Sequence, residues 1–434
     1  MGEYAKQKIE YKMGVNKNVA LNQFLKSVGD KLVDEIPKRQ FDYKFQIVDQ
    51  NVANAFSIPG GYVYMSTGII ALTNNENELA GIMSHEIMHV SLRHGTKQFK
   101  RSIIPGILKL PGKAVGVISP KAGSIVNLPI TGTSALYLTH YSRKNEYQAD
   151  EKGIMLCHNA GYNPHGLPNL LIRLEAINND QNGLKMPSFI STHPSTPKRI
   201  ELGRSIANKF VNQKLTNSAD AKYLMKLDGM ILENNPHQGI LVRNEFIHPI
   251  INLYLKFPLN WETKNSNTSL ISQDKKNNSL LILLAHSFGK LEDVAREDID
   301  KMNKKMGTQA EESDIPGDYK ARIAVYNNFK ISLGVMYFQI DKVVYKLVGS
   351  EAGLEHFHRS CKTLRKLTKK DLALIKIRKL KIVLAKSGQS IADISKAHKN
   401  TWSIKKTAIM NGVRIQTKFP KGHPIKLSVW ESYK

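Results

Sequence analysis

The segment HEIMH, from His85 to His89, carries the clearest chemical pattern in the sequence. On an α-helix, residues four apart lie on one face, so both imidazoles can reach a single metal ion at about 2.0–2.1 Å. Glu86 follows the first histidine and can accept a proton from a water molecule activated at that metal. The alternative, two histidines on a solvated helix surface, fits poorly with the apolar residues around them. The segment therefore predicts a metal-dependent hydrolytic site.

A zinc site of this kind needs a third protein ligand, and we expect it from a distant part of the chain. Gly95 is not followed by a third histidine within a few residues, so the continuation HExxHxxGxxH is absent. The segment NEYQAD places Glu146 and Asp150 four residues apart on one face of a partly apolar helix. Burying two carboxylates without a cation is costly. We expect Glu146 to bind the metal and Asp150 to orient a ligand histidine, the alternative being a solvated charged face.

Periodicity and turn residues indicate the elements that must position these side chains. Apolar residues recur at helical spacing between Leu79 and Val90, after a capping pair formed by Asn75 and Glu78. Further helices are predicted within the first forty residues, where apolar residues from Val19 to Val33 lie on one face, and at about 139–160, 166–178 and 199–215. Strands are predicted at 45–48, 54–59 and 62–68, with a Pro-Gly-Gly turn that makes the last two a hairpin.

The pattern changes twice along the rest of the chain. From about Tyr223, short strands alternate with Asn-rich turns, and a third, basic segment begins near Lys370. We predict an α+β protein: a mainly helical metal-site domain with a β-hairpin or small sheet, then an α/β domain, then a small βααβ module. The predicted boundaries are 1–218, 222–368 and 370–434.

Composition excludes several classes of protein. The chain has 434 residues, 41% of them hydrophobic and 23% charged, as is typical of folded globular proteins with more than one domain. No stretch reaches the roughly 18 uninterrupted apolar residues of a membrane-spanning helix. Two cysteines far apart in sequence, Cys157 and Cys361, exclude a disulfide framework, and we expect Cys157 to be buried.

The formal net charge of +26 is concentrated near the C terminus. From Glu351 onward, 20 Lys or Arg stand against 5 Asp or Glu. Such a surplus favours an anionic partner. Aromatic residues are few and scattered in this part, which argues against nucleic acid because base stacking needs arrayed aromatic rings. We expect an envelope polymer or an anionic membrane surface to fit the charge at least as well.

The sequence ELAGIMSHEIMHVSLRHG, followed 57 positions after His89 by Glu146 of NEYQADEKG, resembles the gluzincin metallopeptidases of the CAAX prenyl protease type. The closer resemblance is to the soluble bacterial branch with the periplasmic BepA-like proteases. NAFSIPGGYVYMSTGII is similar to that family's hairpin beside the cleft, and STHPSTPKRI to its THPxxxxR element. The resemblance covers about residues 1–215. It implies one Zn²⁺ per chain, bound by His85, His89 and Glu146, with Glu86 as the general base.

Two further residues acquire candidate roles from the resemblance. His193 is predicted either to stabilise the oxyanion of the tetrahedral intermediate or to occupy the open zinc position at rest. The alternative is a turn histidine that caps a local carbonyl. Arg199 is expected to pair with Asp150, or otherwise to lie at the surface. The apolar loop at 103–138 is predicted to be a lid, a membrane-surface contact or an ordinary loop over the core.

Asn54, Tyr62 and Tyr64 are predicted to help hold an extended substrate, since a peptide can add to an exposed strand edge with little sequence preference. An ordinary hairpin is the alternative. Near the C terminus, AKSGQSIADISKAHKNTWSIKKTAIMNGV and FPKGHPIKL resemble a degenerate LysM-type module, in which Gln389 replaces the usual Asp. The resemblance implies binding to the glycan chains of peptidoglycan.

These observations lead to one hypothesis and one rival. The leading hypothesis is a zinc-dependent metalloendopeptidase, a hydrolase of unfolded or misassembled polypeptides, in bacterial envelope quality control. We expect a periplasmic or envelope-associated location with the signal peptide already removed, because the first residues lack an apolar core; a cytoplasmic location is the alternative. The rival is a peptidoglycan-binding or chaperone-like protein with a resting, self-blocked protease site.

Overall fold

A computed structural model describes residues 2–95, 141–180, 188–194, 197–210, 219–327, 332–350 and 354–433. The predicted loop at 103–138 lies outside these residues. Contacts divide the chain into two compact units. The first contains the described residues up to 233 together with 378–431, and the second contains those from 234 to 377 and 432–433. This grouping differs from the three predicted ranges, because it joins most of the C-terminal segment to the N-terminal part.

The first unit is mainly helical up to residue 233. Its described helices are α1 (Gly2–Met13), α2 (Val19–Val33), α3 (Thr67–Leu72), α4 (Glu76–Ser91), α5 (Arg143–Asn159), α6 (Gly166–Asn178), α7 (Ser188–Thr192), α8 (Pro197–Asn208) and α9 (Ala221–Leu227). The predicted helix at 166–178 is confirmed with these bounds. The helix predicted from 139 begins at Arg143, because Ser142 caps it by accepting a hydrogen bond from the Asn145 amide at 3.2 Å.

Three strands form a small sheet beside these helices: β1 (Lys44–Val48), β2 (Ala55–Ile58) and β3 (Tyr62–Ser66). Their order is β1-β3-β2, with β1 parallel and β2 antiparallel to β3. The predicted hairpin of β2 and β3 is therefore confirmed. Because β3 is hydrogen-bonded on both edges, the edge strand of the hairpin is β2 and not β3.

Helix α4, which carries HEIMH, is the central helix of this unit. Asn75 caps it by accepting a hydrogen bond from the Glu78 amide at 3.0 Å. Every residue from Glu78 to Val90 is buried, so the helix is enclosed on all sides rather than on one apolar stripe. Its partners include α2, α5, α6 and the hairpin, and Cys157 of α5 is buried as predicted.

The second unit is built on antiparallel sheets. Its strands are β5 (Ile240–Val242), β6 (Glu245–His248), β7 (Leu253–Lys256), β8 (Glu262–Asn265), β9 (Ser269–Asp274), β10 (Ser279–Phe288), β11 (Glu311–Ile315), β12 (Ala321–Asn327), β13 (Ser332–Ile340), β14 (Val343–Ser350) and β15 (Arg365–Lys366). They form sheets of order β11-β12-β13-β14-β10-β9-β8 and β15-β7-β6-β5. Helices α10 (Leu291–Met306) and α11 (Leu354–Cys361) pack on the larger sheet, and α12 (Lys369–Leu374) follows. Helices and strands are both present, but the strand pairings described in these two sheets are antiparallel, so the layout is not that of an alternating α/β domain.

The C-terminal segment consists of β16 (Lys376–Leu384), α13 (Ile391–Ala397), α14 (Ile404–Asn411) and β17 (Pro424–Ser432). These elements have the order β, α, α, β. Strands β17 and β16 form a sheet with β4 (Ile231–Glu233) from the N-terminal part of the first unit. The chain as a whole mixes helices and sheets, which confirms the predicted α+β class. None of the described helices is long and apolar enough to cross a membrane.

The contact between α4 and α6 depends on glycine. A Cβ atom at Gly166 would lie 2.0 Å from the carbonyl oxygen of Asn77, and one at Gly81 would lie 2.5 Å from the amide nitrogen of Leu167. Both obstacles are backbone atoms, which cannot move aside as a side chain can. Glycine at these two positions therefore allows α6 to lie directly against α4.

We expect Gly166→Ala to push α6 away from α4 and to lower the free energy of unfolding of the first unit by about 1–3 kcal/mol, as overpacking of a core does. Thermal unfolding of the full chain checks this. Gly317→Ala is the matched control, since its Cβ would meet no atom closer than 3.9 Å. Equal unfolding temperatures for the two variants would contradict the packing argument.

Candidate metal centre

Four buried donor atoms from α4, α5 and the segment after α7 converge on one point. Nε2 of His85 lies 3.0 Å from Nε2 of His89 and 3.3 Å from Nδ1 of His193. Oε1 of Glu146 lies 3.3 Å from Nε2 of His89 and 3.1 Å from Nδ1 of His193. Donors bound at 2.0–2.1 Å in a tetrahedron are separated by about 3.3–3.4 Å. The spacing of these four atoms therefore fits a zinc ion.

The charge of the site also fits a divalent cation. The carboxylates of Glu86, Glu146 and Asp150 and the guanidinium of Arg199 are all at most 3% exposed. With neutral imidazoles, three negative charges and one positive charge leave a buried net charge of −2. An uncompensated buried charge is strongly unfavourable, whereas an ion of charge +2 neutralises this one.

Asp150 and Arg199 contact the predicted ligands His85 and Glu146 and fix their orientation. Oδ1 of Asp150 lies 2.9 Å from Nδ1 of His85, the ring nitrogen that faces away from the other donors. Arg199 donates two hydrogen bonds of 2.7 Å to the two oxygens of Asp150, and its Nη1 lies 2.7 Å from Oε2 of Glu146. A carboxylate behind a ligand histidine fixes the ring orientation and tautomer. The sequence-based pairing of Arg199 with Asp150 agrees with this geometry.

These neighbours determine the ionisation of the donors. Burial alone would raise the pKa of Glu146, but His193 and Arg199 outweigh it and hold this pKa well below its usual value. The pKa of Asp150 is likewise lowered, because Arg199 outweighs the effect of burial. Burial lowers the pKa of His89 well below its usual value, which keeps the imidazole neutral. Burial alone would lower the pKa of His193, but Glu146 and Glu86 outweigh it and raise this pKa. Ionised carboxylates and neutral imidazoles are the forms that bind a metal, so a metal bound at His193 would displace a proton there.

Glu86 lies beside the donor set with one oxygen directed to it. Its Oε2 accepts a hydrogen bond from the Ser57 hydroxyl at 3.1 Å. Its Oε1 lies 3.4 Å from Nε2 of His193 and has no hydrogen-bond donor among the described residues. Ser57 is on β2, the edge strand of the hairpin, so the hairpin positions the candidate base directly.

His193 is held in place from two sides. Its ring stacks on Phe189 of α7 with centroids 4.5 Å apart. Nη1 of Arg199 donates to the backbone oxygens of His193 and Pro194 at 3.3 and 3.2 Å. The side chain is 1% exposed and its Nδ1 is one of the four converging donors. Residues 195–196 of the predicted 191–200 element lie outside the described residues.

The three predicted substrate-binding residues lie in or beside the hairpin. Asn54 is buried, and its amide donates to the Ser66 hydroxyl at 2.9 Å. The Tyr62 hydroxyl donates to Glu3 of α1 at 2.5 Å, and the Tyr64 ring stacks on Phe56. Their role in substrate binding stays a prediction. Within the hairpin, β2 is the strand whose other edge pairs with none of the described strands.

A cavity of about 310 Å³ opens beside His89. Its walls are mostly apolar, and Arg93 at its rim is hydrogen-bonded to Gln40 at 2.9 Å. The described residues that line it are Phe41, Ser57, Ile58, Pro59, His89, Val90, Arg93, Gly95 and Tyr141. The volume is at the lower end of the range for ligand pockets and is enough for a side chain.

Several of these residues were not found by reading the sequence. Ser57 lies in a strand without any motif around it. Tyr141 stacks on the His89 ring with centroids 3.8 Å apart, yet a lone tyrosine before a helix gives no chemical pattern. Phe189 precedes His193 by four residues, and that spacing could have indicated a ring contact on one turn of helix. The other contacts depend on tertiary structure.

Comparison with known proteins supports the same chemistry. The model of Peptidase family M48 matches residues 20–206. The chain is 26% identical over 233 residues to "Beta-barrel assembly-enhancing protease" of Escherichia coli O157:H7, which covers 52% of this chain and 47% of that protein. It is 31% identical over 207 residues to "Putative beta-barrel assembly-enhancing protease" of Vibrio cholerae, covering 46% and 42%.

A third relative comes from a eukaryote. The chain is 31% identical over 157 residues to "Mitochondrial metalloendopeptidase OMA1" of Arabidopsis thaliana, which covers 36% of this chain and 30% of that protein. The chain thus spans less than half the length of these curated relatives. The match to Peptidase family M48 includes all four converging donors. It confirms the predicted class of the segment, a metallopeptidase, and the predicted metal, zinc.

Proposed function

We propose that this chain is a zinc-dependent endopeptidase that hydrolyses peptide bonds of unfolded or misassembled polypeptides, as part of protein quality control in the bacterial envelope. The observation that carries the proposal is the set of four buried donors at tetrahedral spacing with the Glu86 carboxylate beside them. The printed names of the relatives, a beta-barrel assembly-enhancing protease and a metalloendopeptidase, support it.

The proposal includes a closer assignment. Within the metallopeptidases we assign the chain to the gluzincins of the CAAX prenyl protease type, in the BepA-like branch, with a periplasmic or envelope location. The HEIMH segment and Glu146, 57 positions after His89, support the assignment. A peptidase region, a middle region and a LysM-like C-terminal module make up the proposed layout.

His85, His89 and Glu146 would hold the zinc ion, with Asp150 fixing the orientation of His85. When bound, zinc polarises the carbonyl of the scissile bond and makes a nearby water more acidic. The contribution of the chain is to keep these ligands rigid, buried and correctly ionised, which the Arg199 contacts do.

Glu86 is the proposed general base. Its Oε1, which has no hydrogen-bond donor among the described residues, would accept a proton from the attacking water and deliver it to the leaving amine. The Ser57 hydroxyl, bonded to the other oxygen, orients the carboxylate for both transfers. General acid–base catalysis of this kind contributes about 10²–10⁴-fold to the rate.

We propose that the substrate binds as an added strand along β2. Among the described strands β2 pairs only with β3, and its Ser57 points to Glu86, so an extended peptide on the outer edge would pass the base. Backbone hydrogen bonds bind a peptide with little dependence on its side chains. The cavity beside His89 would take one apolar side chain of that peptide.

We propose that His193 closes the site in this structure. Catalytic zinc sites keep the fourth position open for water, whereas Nδ1 of His193 lies among the other three donors. We therefore propose that the described arrangement is a resting state and that His193 must leave before a substrate carbonyl can enter. This supports the self-blocked site of the rival hypothesis without excluding peptidase activity in an opened state.

A second function is proposed for the basic C-terminal part. The surplus of positive charge after residue 351 would contact peptidoglycan or an anionic membrane surface. Nucleic acid is the poorer partner, because Phe357, Trp402 and Phe419 are buried and cannot stack on bases. Trp430 is the exposed tryptophan of this part, at 44%.

Glu86→Gln should retain zinc and lose at least about 10²-fold in the rate of casein hydrolysis, because the amide cannot accept the proton. Metal content and casein hydrolysis, with and without a chelator, check this. Glu35→Gln, an exposed glutamate in the same unit, is the control and should behave as the unaltered protein. Cleavage by Glu86→Gln at the normal rate would remove Glu86 from the mechanism.

His193→Ala should retain zinc through the other three ligands and increase the rate of casein hydrolysis, because the fourth position is then free for water. Zinc content and initial rates at equal protein concentration measure this. A decrease in rate with zinc retained would show instead that His193 stabilises the oxyanion, the other role that the sequence suggests.

The basic C-terminal part should retain the full chain on peptidoglycan sacculi at about 150 mM salt, where weak non-specific attraction is largely screened. Co-sedimentation with sacculi, with anionic vesicles and with DNA-cellulose distinguishes the partners. Retention on DNA alone would contradict the assignment, and retention on none of the three would remove the binding role.

A further inference from the structure

Lys426 of β17 has its ammonium group buried in the N-terminal part of the same unit. The side chain is 0% exposed. It donates hydrogen bonds to the backbone oxygens of Ala71, Leu72 and Thr73 at 2.7, 3.0 and 2.9 Å. These three bonds use all the donors of an ammonium group. Lys426 and its acceptors are more than 350 positions apart in the sequence.

The acceptors are the carbonyls at the C-terminal end of α3. The last carbonyls of a helix have no partner within it, and the negative end of the helix dipole favours a cation there. A lysine normally meets this need from the last turn of its own helix. Here the cation comes from the C-terminal segment, which makes this contact specific to the way that the segment packs.

Two residues, Asn74 and Asn75, separate this contact from the helix that carries HEIMH. Thr73 is followed by Asn74 and by Asn75, the N-cap of α4. The amide of Asn74 donates to Oε2 of Glu78 at 2.6 Å, and Glu78 is also paired with Arg173 of α6. A linker this short, with the Asn74 amide bonded to Glu78, transmits the position of α3 to the first turn of α4. Glu78 and His85 lie two helical turns apart.

A second contact from the C-terminal segment reaches the same linker. The Asn411 side chain accepts from the Lys426 amide at 2.7 Å and donates to the Lys426 carbonyl at 2.9 Å. The next residue, Gly412, has a φ of 65°. A Cβ there would lie 3.1 Å from Nδ2 of Asn74 and 3.2 Å from Nη1 of Arg173. The end of α14 therefore packs directly on the linker.

The apolar core continues across this contact. Leu380, Ile382, Trp402 and Met410 of the C-terminal segment belong to the same buried cluster as Leu79 of α4. Strand β16 also pairs with β4. The segment also has a buried cluster of its own, which includes Ile391, Ile425 and Leu427, but an independent module would leave Lys426 solvated. Burying a charged lysine is unfavourable unless it makes strong hydrogen bonds, and here the α3 carbonyls provide them.

We infer that Lys426 is a positioning residue for the peptidase: by capping α3 it fixes the start of α4, so that residues 378–431 are a required part of the catalytic unit. The inference rests on the proposed peptidase function for its activity readout. The C-terminal segment acts on the zinc ligands through the linker and α4, and makes no contact with substrate.

The first test is hydrogen exchange on the unaltered full chain, which needs no activity. Amides of α14, β17 and the first turn of α4 should exchange by one cooperative opening, with equal free energies and equal dependence on denaturant. Opening of α14 and β17 at lower free energy, with α4 still protected, would overturn the inference. This measurement stands even where a variant does not fold or the chain cleaves no substrate.

The second test uses Lys426→Met, which keeps the length of the side chain and removes its donors. Lys421→Met, at an exposed position of the same segment, is the control. We expect Lys426→Met to lower kcat on casein by about 10-fold or more, in keeping with the sensitivity of catalysis to small displacements, with KM changed less than about twofold. It should also release zinc to a chelator faster.

The readouts separate the possible outcomes. A normal kcat and normal zinc release in Lys426→Met would overturn the inference, as would equal changes in Lys421→Met. If the unaltered protein binds zinc but hydrolyses no peptide, the proposed function fails. The exchange and zinc-release experiments then still decide whether Lys426 positions α4.

Discussion

The constraint on which the first unit depends is the burial of seven ionisable side chains around one point. His85, Glu86, His89, Glu146, Asp150, His193 and Arg199 are each at most 3% exposed. Such a cluster is tolerated only if charges are balanced and hydrogen bonds are made. Arg199 balances one carboxylate charge, and the geometry leaves the remaining −2 for a divalent metal. The surrounding fold must keep water out and hold the donors rigidly, which explains why α4 is enclosed on all sides.

Local sequence was sufficient for the part of this arrangement that lies within single helices. The spacing of His85 and His89, and of Glu146 and Asp150, follows from helical geometry and does not depend on the rest of the fold. Glycine and proline residues correctly indicated the hairpin and the bounds of α6, because their turn and helix-end preferences are also local. Two buried acids need a cation, and this requirement was enough to connect Glu146 and Asp150 of α5 with the histidines of α4.

The order of strands in the sheet and the long-range side-chain contacts could not be predicted from local sequence. The sequence gives no sign that β3 is central and β2 is the edge strand, because that order depends on the parallel pairing of β1 with β3. The role of Ser57, whose hydroxyl donates to the candidate base Glu86, could therefore not be predicted. The same holds for Lys426, which looks like one more lysine in a basic segment and is in fact 0% exposed. In both cases the role depends on a contact with a residue that is distant in the sequence.

The shared core also changes how the two proposed functions relate to each other. A LysM-like module on a flexible tether would bring the peptidase near its polymer but leave it free to turn. Residues 378–431 instead share a buried cluster, a sheet and a buried ammonium contact with the N-terminal part of the first unit. Their exposed basic residues are then fixed relative to the zinc site. The proposed binding to an anionic surface and the proposed cleavage of a polypeptide would then belong to one compact unit, so the two hypotheses do not exclude each other.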